Sequence, residues 1–523
     1  MPSPAAKSNL AATPKFDLLI RNARVVRPRK AKVEKLDIGI VGGKVAKLAK
    51  GLKVADAAQV IDAKGKLAFP GLVDPHMHCG IYGPLDQDAY TESLAAAQGG
   101  VTSSLNYMRT GGYYLQKGGP YAQVFPEVLA LSKDRFWVDY AYHLAPLDRT
   151  HIGEIDMLIA KHGVTSFKIF MFYGGYGLHG ASSSQHDFLM IGKDEKYDIA
   201  HFEFVMRGVQ RAMLRNPKIK DSISLSLHCE LAEILTAYTQ MVEGGAKVTD
   251  LDTWLTGKTN DPQCADCKPL SGLRAYSAAR PPHSEGLAIA IASYLANETN
   301  CVNINLLHLT SRKAVESALT MAKAFPHVNF RREVTIGHLC LDYDSKAAAL
   351  AKVNPPIRSR ADVEFLWDAL LDRKLDWVCS DHACCKTEMK LGQDKNDIFQ
   401  AKSGFGGTEY LLSALITEGK PRGLSYNRMA ELTSWNAARR FGLHAKGDIA
   451  PGFDADIVLV DPAKSFVAGA KHSKSSQGYS VFEGKEMSAT VTSTFLRGQL
   501  IYDNGMAVGK PIGRYLHRPY AKD

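Results

Sequence analysis

Eight short segments rich in branched and aromatic residues recur along the chain. They are LAFPGLVD, VTSSLNYM, FWVDYAY, TSFKIFMF, SISLSLH, VNINLLHL, VNFRREV and LDWVCSD, and each has the length and composition of a strand. Helix-like stretches with apolar residues at i, i+3, i+4 spacing separate many of them, among them AEILTAYTQMVEGG, SEGLAIAIASYLANE, SRKAVESALTMAKAF and ADVEFLWDALLDRK. Eight strands with intervening helices predict an enlarged (β/α)8 TIM barrel of the α/β class, whose chemistry sits at the C-terminal strand ends. No repeat of 20 to 50 residues is evident, which argues against a solenoid.

The two ends of the chain have a different texture. Residues 16–70 read as alternating strands with glycine turns, and the pattern returns in FDADIVLVDP and SATVTSTFLRGQLIYDNG. The expected organisation is therefore a tail at 1–15, part of a β-sandwich at 16–70, the barrel at 71–445, the rest of the sandwich at 446–505, and an extension at 506–523.

Composition narrows the function classes. With 45% hydrophobic and 23% charged residues the chain has an ordinary globular balance, so disordered and fibrous readings fail. The formal net charge of +10 is spread out and forms no dense basic block, so no nucleic-acid partner is expected. The longest apolar run, LAIAIASYLA, is about half of the ~20 residues that a membrane span needs. The first fourteen residues hold no apolar core of a secretion signal, and the nine cysteines are odd in number and scattered. A cytoplasmic, reducing compartment is the expectation.

Five of the eight strands finish on a residue type that can hold a divalent metal. The first carries His76 and His78 in DPHMH, an alternation that puts both on one face. The fourth carries Lys168, the fifth His228, the sixth His308 and the eighth Asp381. A lone histidine is more often structural, and a lysine inside an apolar strand is costly to bury. Their joint recurrence reverses that reading, and Lys168 makes sense as a carbamate, an anion whose two oxygens can bridge two cations.

Together PGLVDPHMH, GVTSFKIFM and NAARRFGLHAKGDIAPGFDADIVLVDP resemble the metal-dependent amidohydrolases, specifically the hydantoinase, dihydropyrimidinase and allantoinase group. The resemblance covers nearly the whole chain. It implies that His76, His78 and Asp381 hold one metal, that His228 and His308 hold the other, and that N6-carboxylated Lys168 bridges them. The nucleophile would be a hydroxide between the ions, with Asp381 as general base and then general acid. Zinc is the first expectation for the two divalent ions, and cobalt, manganese and nickel suit the same donors. Tyr173 matches the family's tyrosine that donates a hydrogen bond to the developing oxyanion, with barrel-mouth packing as its bland alternative. The implied activity is ring opening of a cyclic amide, imide or ureide by a homotetramer, for which the Tyr- and Arg-rich GRYLHRPYAKD would suit a partner surface. The alternatives are cleavage of a linear amide, carbamate or aryl urea on the same metals, and a non-catalytic scaffold, against which the complete ligand set argues.

The sequence departs from the family at two ring-binding positions, where a serine and an asparagine are expected and Asn354 and Ser403 stand. Tyr107, Tyr113, Tyr114 and Tyr121 follow the second strand, and Tyr176, Phe188, Leu189 and Met190 follow the fourth. Such loops predict either a pocket for a bulky apolar substituent, with Tyr176 and Phe188 on the substrate, or subunit packing. Cys264 and Cys267 form an isolated C-x2-C and read as loop thiols, and Cys384 and Cys385 lack a base partner. His143 and His338 read as structural, and Ser284 in RPPHSEG as the cap of the next helix.

Overall fold

The computed structural model describes residues 15–174, 184–258, 268–395 and 397–521. Its first strands are β1 (Phe16–Val25), β2 (Glu34–Val41), β3 (Lys44–Ala49), β4 (Ala57–Asp62) and β5 (Leu67–Pro70). The eight barrel strands follow as β6 (Leu72–Met77), β7 (Val101–Met108), β8 (Asp139–Leu144), β9 (Ser166–Phe170), β10 (Ser224–His228), β11 (Asn303–Leu306), β12 (Asn329–Thr335) and β13 (Trp377–Cys379). After them come β14 (Ile457–Asp461), β15 (Phe466–Val467), β16 (Glu486–Met487), β17 (Thr490–Leu496), β18 (Gln499–Asp503) and β19 (Met506–Ala507).

Strands β6 to β13 pair in chain order, all parallel. The ring closes where the His78 amide donates to the carbonyl of His382 at 2.8 Å, next to a bridge between Met77 and His382. All eight expected strands are present, and helices Ala232–Glu243, Pro282–Thr299, Arg312–Ala324 and Arg360–Leu371 lie where the periodicity put them. No helix among the described residues is long and apolar enough to cross a membrane.

Two expectations need correction. LAFPGLVD is two strands rather than one: Leu67–Pro70 joins the outer sheet, and the barrel begins at Leu72. The break falls at Gly71, where a Cβ would collide with the Thr102 side chain, so the crossing between the two units requires a residue without one. Ser284 does not cap its helix, which starts at Pro282; its hydroxyl instead accepts from the Leu231 amide at 2.8 Å. In the C-terminal segment the buried Leu516 and Arg518 face the chain's own barrel. Arg518 donates to Ser166 Oγ at 2.7 Å and to the Tyr142 carbonyl at 2.5 Å, and Leu516 bonds the Tyr140 carbonyl, so the tail braces β8 and β9 of its own barrel.

The outer unit is a nine-stranded sheet made from both ends of the chain, in the order β19-β18-β17-β14-β5-β1-β2-β3 with β4 beside β1. Its own small core includes Leu18, Ile20, Ile38, Ile457, Leu459 and Phe495. A buried ion cluster ties it to the barrel. Lys446 Nζ reaches Asp139 on β8 at 2.6 Å, Asp456 at 2.8 Å and Asp454 at 2.9 Å, and Arg497 on the turn after β17 also pairs with Asp139. Burial alone would lower the Lys446 pKa, yet three carboxylates more than reverse this and raise it.

Candidate active site

The C-terminal ends of the barrel strands bring the metal-capable residues together. Alternation along β6 points His76 and His78 the same way, and both Nε2 atoms face one oxygen of Asp381, at 3.2 and 3.3 Å. Lys168 on β9 places Nζ 3.2 Å from His76 Nε2. His228 ends β10, and its ring centroid lies 4.4 Å from that of His308, which in turn is 5.4 Å from His76. His308 and Asp381 follow their strands with φ of 32° and 53°, a left-handed backbone that side-chain-bearing residues adopt at a cost and that clusters at functional sites.

The donor chemistry suits a divalent metal. Atoms of His76, His308 and Asp381 converge within 4.8 Å of one another, all buried. His308 Nδ1 is buried with no hydrogen-bond partner, an orphan that a bound cation would satisfy. Burial holds the imidazoles of His76, His78 and His308 well below the ordinary histidine range and that of His228 at about 4, so each keeps a lone pair to offer at neutral pH. Burial also lowers the Lys168 amine to about 8. Among the described residues no carboxylate lies within ion-pair distance of that amine, although the charges of Asp381 and Glu333 act on it; it lies 3.9 Å from the Tyr107 ring and 4.3 Å from the Phe170 ring.

Behind these residues lies a shell that the sequence reading missed. His76 Nδ1 meets Glu333 Oε1 at 2.7 Å, His78 Nδ1 meets the Tyr114 hydroxyl at 2.7 Å, and His228 Nε2 meets Glu230 Oε2 at 2.7 Å. Each contact fixes one ring nitrogen and aims the other at the cavity. Glu230 is itself gripped by Arg280, with Nε 3.0 Å from Oε1 and Nη2 2.5 Å from Oε2. Although burial opposes its ionisation, the Arg280 charge and the His228 bond hold the Glu230 carboxyl down at about 2. The available signal was a charged residue where an apolar one belongs, as Glu333 is within VNFRREV.

Tyr173, Asn354 and Ser403 line the cavity, as do Tyr82, Tyr114 and Phe172. The Tyr276 hydroxyl bonds Asn354 Oδ1, which also accepts from Ser403 Oγ at 3.2 Å, so the two departures from the family pattern touch each other. The cavity measures only about 50 Å³. Phe188 is not on its wall: it packs edge-on behind Tyr173, with ring centroids 5.0 Å apart. Among the described residues of the aromatic loops, Phe188 packs on Tyr173, and Tyr114 lines the cavity while holding His78. Tyr176, Cys264 and Cys267 lie outside the described residues. Cys384 and Cys385 are buried, and burial pushes both thiols up, the reverse of what a nucleophile needs. His143 bonds Ser166 Oγ and the Pro75 carbonyl, and His338 bonds Thr335 Oγ1 and the Pro355 carbonyl; both are structural.

A closed parallel barrel with histidines, a lysine and an aspartate converging at its C-terminal strand ends defines a barrel hydrolase. The amidohydrolase family model matches residues 220–501, and the chain belongs to that family. It is 30% identical over 505 residues to an allantoinase of Rubrobacter xylanophilus, covering 96% of this chain and 97% of that one. It is 29% identical over 514 residues to an Escherichia coli allantoinase, covering 96% and 98%. Among solved structures, a Thermus D-hydantoinase (dihydropyrimidinase) superposes with a TM-score of 0.77 at 25% identity, covering 96% and 99%. The dihydropyrimidinase of Brevibacillus agri superposes with 0.78 at 24% identity, covering 96% and 98%.

Proposed function

We propose that this protein hydrolyses a ring C–N bond of a small cyclic amide or ureide, allantoin and hydantoin being the test compounds its relatives suggest. The observation that carries the reading is the convergence of His76, His78, His308, Lys168 and Asp381 at one end of the barrel, with an orphaned His308 nitrogen among them. His76, His78 and Asp381 would hold one divalent ion and His228 and His308 a second, zinc being the first choice, with a carbamate on Lys168 between them. Such ions polarise a carbonyl and acidify water at neutral pH.

The residues divide the remaining work. The Lys168 amine, kept near 8 by burial, is in part unprotonated at neutral pH and can add carbon dioxide, releasing one proton as the carbamate forms. Asp381 takes the proton from the attacking water and returns it to the ring nitrogen as the C–N bond breaks, so acid and base are one carboxyl. Tyr173 donates a hydrogen bond from its phenol to the carbonyl oxygen as charge gathers there. Asn354 and Ser403 present the backbone of two neighbouring loops to the ring, and the small cavity selects compact substituents. Assembly into a homotetramer and residence in the cytoplasm belong to the same proposal, on the strength of the family likeness and, for the compartment, the scattered thiols.

Mass analysis of the products tests the reading. Ring opening by the zinc-loaded protein yields one product heavier by one water, whereas cleavage of a linear amide yields two fragments. Turnover of linear amides or aryl carbamates only would contradict the proposal.

A further inference from the structure

Arg109, the first residue after β7, is only 2% exposed, yet it forms no ion pair with any carboxylate among the described residues. Its Nη1 donates to the Thr110 carbonyl at 2.8 Å, its Nε donates to the Tyr173 hydroxyl at 3.2 Å, and its Nη2 is buried without a partner. Instead of an anion it has rings around it: the guanidinium carbon lies 4.7 Å from the Phe188 centroid, 5.1 Å from Tyr173, 5.6 Å from Tyr113 and 5.9 Å from Tyr114. An uncompensated buried charge is expensive, and cation–π contacts recover only part of the cost. Retaining it at this place calls for a reason.

We infer that Arg109 is a positioning residue for the reaction: by donating to the phenol oxygen of Tyr173, it turns the phenol's own proton toward the cavity, where a substrate carbonyl oxygen can accept it. A phenol oxygen has one proton and two lone pairs. With Arg109 Nε–H occupying one lone pair, the O–H bond must point elsewhere, and Tyr173 lines the cavity, from which Arg109 is absent. Phe188 and Tyr113 close over the guanidinium and keep water from competing for that lone pair. The same charge favours the more negative phenol oxygen that develops as the hydrogen bond from Tyr173 to the oxyanion strengthens, and it opposes the rise in Tyr173 pKa that burial causes.

This inference rests on Tyr173 being the donor to the oxyanion, and the test separates the two claims. Zinc-loaded wild type, Arg109→Gln, Arg109→Lys, Tyr173→Phe and the Arg109→Gln/Tyr173→Phe double variant are compared on allantoin and hydantoin. The expected result for Arg109→Gln is a kcat lower by about 10- to 100-fold, a KM within about twofold and unchanged zinc content. Arg109→Lys, which can still donate to the phenol, recovers part of the loss, and the double variant is no worse than Tyr173→Phe alone. A readout independent of turnover is the ¹³Cζ resonance of Tyr173, assigned by its disappearance in Tyr173→Phe, which should move in Arg109→Gln. Wild-type kcat in Arg109→Gln while Tyr173→Phe is impaired overturns the inference alone, as do losses that multiply in the double variant. Full activity of Tyr173→Phe overturns the reading beneath it, and the inference with it. Should Arg109→Gln fail to fold, Arg109→Met, which has no donor for the phenol, takes its place, and an unmoved ¹³Cζ resonance with a KM-only defect in that variant would be the contradicting result.

Discussion

Glu333 on β12 ties together two strand ends that do not pair, those of β6 and β11, with one oxygen: its Oε1 accepts from His76 Nδ1 at 2.7 Å and from the backbone amide of His308 at 3.1 Å. The other oxygen accepts from Trp377 Nε1 at 2.8 Å, so the carboxylate is fully engaged. An outer partner of this kind sets which nitrogen of a ligand histidine faces the metal. Glu333→Gln keeps the shape but offers a single acceptor oxygen and forces one contact to a donor. It should weaken metal binding by roughly 10- to 100-fold, measured as divalent ion retained after dialysis against a graded chelator. Retention equal to wild type would show that His76 needs no such support.

The Arg280–Glu230–His228 chain makes a prediction about acid stability. The folded pKa of Glu230, about 2, lies below its ordinary 4.5. Its contribution is therefore fully present above 4.5 and is lost as pH falls from there toward 2. Arg280→Met removes the partner and leaves a buried carboxylate, for which a loss of roughly 3–5 kcal/mol at pH 7 is expected. The gap to wild type should close as pH is lowered through this window, because protonated Glu230 no longer needs the arginine. Thermal unfolding of both proteins between pH 7 and 3 checks it, and a gap independent of pH would rule Glu230 out as the cause.

The residues that gather at the C-terminal strand ends were legible in the sequence because the strands recur on a pattern. Strand alternation and the C-terminal rule of the barrel placed His76, His78, Lys168, His228, His308 and Asp381 with no knowledge of contacts. Glu333, Glu230, Arg280 and Arg109 were not legible, because their roles depend on which strands become neighbours, and a buried charge looks the same in sequence as an exposed one. Gly71 shows the same limit at the level of the fold: LAFPGLV carries no polar side chain to mark a break, and only the Thr102 side chain opposite the glycine reveals that the chain changes sheets there. Whether Phe188 packs or meets the substrate was open in the sequence, because an aromatic residue near a barrel mouth serves either purpose equally well in one dimension; in the structure it packs on Tyr173.

Cavity size governs substrate choice. With about 50 Å³ bounded by Tyr82, Tyr114, Phe172 and Tyr173, hydantoin or allantoin should exceed 5-phenylhydantoin in kcat/KM by at least about tenfold. Tyr82 donates to the Ser403 carbonyl and fills the mouth, so Tyr82→Ala should narrow that gap by raising the rate on the aryl compound. A preference for the aryl ring in the wild type would mean that the mouth opens far wider than this cavity.

The two-metal site is the central claim, and metal stoichiometry tests it most directly. Purified protein loaded with zinc under bicarbonate should hold close to two ions per chain by elemental analysis. His228→Ala and His308→Ala should each lose mainly one, and Lys168→Ala should be metal-poor and inactive, with part of both restored by a short carboxylic acid that takes the place of the carbamate. Protein that hydrolyses its substrate with no bound metal, or Lys168→Arg with two ions and full activity, would contradict the account.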